Sequence, residues 1–268
     1  MPPKKADLCR DESGSSIRDI LKTLGPGILV ACAAVGGSHL VWSTRAGADY
    51  GWSLVGLILL ANLLKYPFFL YGQTYTAATG ESLLAGYMRQ GRIYVWIFLA
   101  INILTGTINI AGVAMISGAL LSGYGISGVS IPILTILILL VCTLLIILGH
   151  YRVLDGVSKA VILILTFSTI IAVGLALKKP VQPLPDFTPA SPYTWASFAF
   201  LISLLGWMPA PVDLSAWSSL WMFSRQKQTG HRASIQETRI DFFLGYGIAV
   251  FLAVLFVALG ALIMHGTG

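Results

Sequence analysis

Charge is what this sequence lacks. Of 268 residues only 10% are Asp, Glu, Lys or Arg, while 56% are hydrophobic. Soluble domains carry about 25% charged residues, so a water-soluble globular protein is excluded. Cysteine is scarce as well: Cys9, Cys32 and Cys142 stand far apart, with neither metal-ligand nor disulfide spacing, and say nothing of the redox compartment. The first 20 residues hold no apolar core, so they show no signal-peptide pattern. No HExxH, GxSxG, Walker-type or paired-Cys motif is present, so neither an enzyme nor a cofactor is expected. The net charge of +6 invites a nucleic-acid partner, but the basic residues lie between apolar runs, where membrane topology explains them.

What is present is apolar length. Seven runs near the ~20 residues that a bilayer demands fall at 24–49, 52–75, 93–121, 131–149, 157–177, 196–222 and 240–264. The pattern predicts an all-α polytopic membrane protein whose partner is the lipid bilayer. A seven-span retinal protein is excluded, because residues 240–264 contain no lysine. Thirteen Lys and Arg residues flank one side of the spans (among them Lys22, Arg89, Arg152 and Arg225), against Arg45, Lys178 and Lys179 on the other. The positive-inside rule then puts the amino terminus in the cytoplasm, with the plasma (inner) membrane as the expected location. Residues 1–20 are expected to form a disordered cytoplasmic tail. Residues 21–177 would hold five spans, 178–195 a Pro-rich external linker, and 196–268 two more spans.

Two of the spans carry their own interruptions. Gly36-Gly37-Ser38 stands in the middle of the first. Adjacent glycines weaken a helix by roughly 1 kcal/mol each, and serine competes for backbone hydrogen bonds. The sixth contains Gly206-Trp207-Met208-Pro209-Ala210-Pro211-Val212-Asp213, whose two prolines remove two N–H donors. Backbone groups freed within a membrane are tolerated only where they line a cavity or meet a ligand. Paired interruptions in corresponding spans of two halves point to a transporter site near the midplane.

Gly25-Pro26-Gly27, Arg45-Ala46-Gly47-Ala48-Asp49-Tyr50-Gly51, Leu60-Ala61-Asn62-Leu63 and Ala78-Thr79-Gly80-Glu81-Ser82-Leu83 carry a resemblance to a known family. Tyr151-Arg152-Val153-Leu154-Asp155, Met208-Pro209 and Thr238-Arg239-Ile240-Asp241 extend it along the chain. Together they resemble the natural resistance-associated macrophage proteins (NRAMP), proton-coupled importers of divalent metals. The resemblance implies a LeuT-type fold of two inverted five-helix repeats, with substrate between broken spans one and six. Members of that family have about eleven spans, so this chain is expected to be a fragment or short form. Departures accompany it. Where the family has Asp-Pro-Gly-Asn this sequence has Gly36, Gly37, Ser38 and His39; after Met208-Pro209 stand Ala210 and Pro211, and a proton-transfer glutamate aligns with Asn109.

The candidate site residues follow. Gly36, Gly37, Ser38, His39, Met208 and Asp213 are the expected substrate contacts, with His39 and Met208 as soft metal ligands and Asp213 as the compensating charge. Lys65 and Asn109 are candidates for charge coupling, since ionisable groups inside a membrane are costly and usually functional. The expected activity is secondary transport of a divalent metal cation of the manganese or iron type, with proton coupling and oligomeric state left open. Two alternatives stand beside it. One is a small anion or carboxylate held at the second half-helix of the Gly36–Ser38 break with Lys65; the other is a non-transporting sensor or scaffold.

Overall fold

The computed structural model describes residues 16–124, 128–178, 184–185 and 187–267. Residues 1–15 of the expected tail, and 179–183 and 186 of the linker, lie outside them. Every regular element among the described residues is helical. Helix α1 (Ile17–Thr23) starts within the stretch expected to be tail, because Ser16 accepts the Arg18 N–H and caps it. Helix α2 (Pro26–Ala34) opens on a proline, at the position where its missing N–H is harmless. A π-helical turn (Ser38–Ser43) and α3 (Thr44–Tyr50) complete the first span, which bends by 48° at its break.

Helix α4 (Val55–Thr79) carries Pro67 inside it and stops at the left-handed Gly80, φ 73°. Helix α5 (Leu83–Gln90) is a short amphipathic connector capped by Ser82, and α6 (Arg92–Gly123) follows as a long apolar rod. Helix α7 (Ile131–Lys178) is helical over 48 residues, so the loop expected at 150–156 is absent. A straight helix of that length would reach ~72 Å, more than twice the ~30 Å hydrocarbon core. A Cβ built on Gly149 lies 2.5 Å from that of Val153. Such neighbours stand about 5–6 Å apart on a regular helix, so the chain bends sharply there. The spans Ile131–Gly149 and Tyr151–Lys178 result. Helices α8 (Phe198–Trp207) and α9 (Leu214–Thr229) make up the sixth segment, broken between them at 208–213. A reciprocal Ser234/Glu237 capping box starts α10 (Ile235–Leu259), which runs into a π-helical turn at Gly260–Met264.

Helix α10 is the centre of the molecule. Of its most apolar 18 residues 39% are buried, against 6% for α6. It crosses α2 backbone to backbone: a side chain on Gly27 would collide with the Asp241 carbonyl, and one on Gly245 with the Gly27 carbonyl. Around this crossing Val30, Ala34, Phe69, Phe242, Tyr246 and Leu252 form one core cluster. A second gathers Ala46, Leu54, Ile58, Leu204, Met208 and Val257. Spans one, two, six and seven thus form a packed bundle, and α6 lies against its side with its apolar surface outward.

Candidate functional site

The two breaks face each other. Helix α2 ends where Val35 leaves helical geometry, and Ser38 begins the next segment. Its hydroxyl lies 2.6 Å from the Ala34 carbonyl, 2.7 Å from His39 Nδ1 and 3.3 Å from the Pro209 carbonyl across the gap. Trp207, the last residue of α8, lays its indole over the glycines: a Cβ on Gly37 would lie 3.1 Å from it, and one on Gly112 of α6 3.7 Å. Gly36 faces Val113 of the same helix. Glycine at 37 lets the indole pack close, since a side chain there would need the ring to move by a few tenths of an ångström.

Donor and acceptor roles at Ser38 can be assigned. His39 is fully buried, and its Nε2 is 2.9 Å from the Ala249 carbonyl, which only accepts, so Nε2 carries a proton. In the neutral ring Nδ1 is then an acceptor, so the single Ser38 hydroxyl proton is within reach of three acceptors, the Ala34 carbonyl (the nearest), Nδ1 and the Pro209 carbonyl. One proton cannot serve all three at once. Acceptors outnumber donors at this point, which suits a cation better than an anion.

The structure gives the expected site residues their surroundings. His39 is not a free ligand: both ring nitrogens are engaged, and it positions Ser38. Met208 is fully buried in the second apolar cluster, so its thioether points into the bundle core. Asp213 precedes α9 and is half-buried; among the described residues no three His, Cys, Asp or Glu side chains converge as a metal cage would require. Lys65 and Asp213 do not neutralise each other. The Lys65 ammonium donates to the Leu205 and Gly206 carbonyls at 2.7 and 3.0 Å, capping the broken end of α8. Two of its three N–H bonds are thereby engaged at that helix end. Asn109 stands on α6 one turn before Gly112 and Val113, the residues that face the break and the indole.

Sequence reasoning missed a polar network on one face of the bundle. Asp155, nearly fully buried, accepts from Lys159 (2.7 Å) and Arg225 (3.2 Å). Lys159 also reaches the Leu24 carbonyl, and Arg225 those of Leu21 and Lys22. Asp241 accepts from the Gly25 and Gly27 N–H groups, so one carboxylate from α10 caps the start of α2. The only hint in the sequence was that these charges fall in the loops and span ends of one side.

Comparison with known proteins agrees with this architecture. The family model described as natural resistance-associated macrophage protein-like matches residues 27–268. An uncharacterized protein of Pasteurella multocida (strain Pm70) is 44% identical over 248 residues, which are 91% of this chain and 57% of that protein. Two crystal structures of mutants of an Eremococcus coleocola manganese transporter superpose with TM-scores of 0.70 and 0.69 at 18% identity, each covering 94% of this chain and 53% of theirs. The chain thus spans little more than half the length of the relatives it matches. An all-helical bundle of LeuT type, broken in its first and sixth spans and matched over residues 27–268, belongs to the natural resistance-associated macrophage protein-like family.

Proposed function

We propose that this protein serves secondary transport of a divalent metal cation of the manganese or iron type, through a site between the breaks at Gly36–Ser38 and Met208–Asp213. The observation that carries this reading is the oxygen cluster of Ser38, Ala34 and Pro209, where one hydroxyl proton faces three acceptors. Gly36 and Gly37 keep the gap narrow and bring the backbone to the substrate. His39, hydrogen-bonded to Ser38 and to the Ala249 carbonyl, holds the serine hydroxyl at the gap. Met208 anchors the end of α8 by packing into the apolar cluster beside the break. Asp213, at the start of α9, supplies negative charge on the approach, and Trp207 closes over the gap.

Support comes from family membership and from the fold shared with a manganese transporter. Carbonyl and hydroxyl oxygens suit hard and borderline divalent ions, which matches manganese better than zinc. Isothermal titration of the purified protein with Mn2+ tests the reading. Heat of binding is expected in the wild type, and Ser38→Ala is expected to weaken it about tenfold or more, since a lost charge-dipole contact is worth roughly 1.5–3 kcal/mol. Absence of heat in the wild type would end it.

A further inference from the structure

A partly open pocket, with about 30 Å³ of space for water-sized occupants, lies on the face that carries the Asp155–Arg225 network, between the start of α2, α4, α9 and α10. Its lining includes Gln73 and Thr76 from one face of α4, and Thr238 and Asp241 from one face of α10. All four are at least nine-tenths buried. Gln73 is fully buried, yet among the described residues neither its Nε2 nor its Oε1 has a hydrogen-bond partner, and the Thr238 hydroxyl has none either. Buried polar groups in folded proteins are almost always satisfied, by protein, water or ion. Two unpartnered side chains lining one cavity therefore point to a ligand.

The charges around the cavity select its kind. Asp241 uses both oxygens to accept backbone N–H groups and makes no ion pair among the described residues. The Arg225 guanidinium is committed to Asp155 and to the Leu21 and Lys22 carbonyls, and His231 to Glu237. Arg232 is exposed at the rim beside Gly80. Thr76 donates its proton to the Gly72 carbonyl, so toward the cavity it can only accept. Arg225 and Arg232 keep their charge in the lining, and its buried part on α4 and α10 offers one carboxylate and the oxygens of Gln73, Thr76 and Thr238. About 30 Å³ of such space holds about one water-sized occupant, which fits a small inorganic ion.

We propose that this cavity binds one small hard monovalent cation, held by Asp241, Gln73 Oε1, Thr238 Oγ1 and Thr76 Oγ1. One carboxylate balances one positive charge, and oxygen donors of this type prefer hard ions. The site is separate from the breaks and does not depend on the metal reading there. Sodium is the probe. The purified 268-residue chain is unfolded thermally in equal concentrations of NaCl, sodium gluconate and choline chloride. Both sodium salts are expected to raise Tm over choline chloride by about 3 °C at ten times the dissociation constant. Thr238→Val, which keeps shape and loses the oxygen, is expected to abolish that difference without lowering Tm in choline chloride. Gln73→Met is the second variant if Thr238→Val does not fold. Equal Tm in all three salts means the cavity holds only water and overturns the proposal. A rise in both chlorides but not in gluconate means an anion, and overturns it too. A full sodium response in both variants assigns the ion elsewhere and is equally fatal.

Discussion

At the scale of single residues, the unusual side chains prove to be structural supports for the broken helices more often than ligands. Lys65 illustrates this, because its ammonium replaces the N–H donors that α8 loses at its end. Lys65→Met should leave two carbonyls unpaired and cost about 1–3 kcal/mol. A fall in Tm, with manganese affinity unchanged, is the expected result; abolished ion binding in a protein of unchanged Tm would restore a direct role in the site. The presence of Lys65 near the middle of a span marked it as unusual from sequence alone. Its partner was not readable, because carbonyls 140 and 141 positions away are brought to it only by packing. The same holds for His39, whose polarity was legible and whose Ala249 partner, 210 positions on, was not.

At the scale of elements, the crossing of α2 on α10 is the contact on which the bundle depends. Gly27→Ala should overpack it against the Asp241 backbone, which has no freedom to move aside, and cost at least ~1–3 kcal/mol. Loss of the monodisperse peak in size-exclusion chromatography, or a fall in Tm, checks this. The network at the charged face ties α1, α7 and α9 together through Asp155, Lys159 and Arg225. Arg225→Ala removes one partner from a buried carboxylate, a change worth about 3–5 kcal/mol when no partner remains and less here, where Lys159 stays. The segment from Leu21 to Leu24 is then expected to loosen. Cys32, half-buried with its thiol on the Ser158 carbonyl of α7, reports on it. Its reaction with a maleimide should be faster in Arg225→Ala than in wild type; an unchanged rate would show that the network does not hold α2 against α7.

Across the whole molecule, contacts sort the loops into two groups. Thr23 meets Glu237, Gly25 meets Asp241 and Arg232 lies beside Gly80 on one side. Tyr50 meets Ser197, Ala48 meets His265 and Leu184 meets Gly266 on the other. The first group carries most of the basic residues, so we expect it to face the cytoplasm. In a variant whose native cysteines are replaced, an impermeant maleimide applied to intact cells should label Ala190→Cys and spare Gln228→Cys. The opposite pattern would invert the topology.

By itself the sequence determined the class of protein and the positions of both breaks. Those features rest on local physics: apolar length, and the inability of Gly36-Gly37 and of Pro209 and Pro211 to sustain a helix without help. A loop was expected at 150–156, where the chain instead stays helical with a bend at Gly149, since helix and short loop differ little in local composition there. Tertiary structure alone decided what each polar side chain does. A buried histidine, lysine or carboxylate must find a partner, and that partner stands on another span, at a distance in sequence that no local pattern encodes. Hence Ser38 came to face Pro209, Met208 turned into the core, and Gln73 and Thr238 met at a cavity to which no motif had pointed.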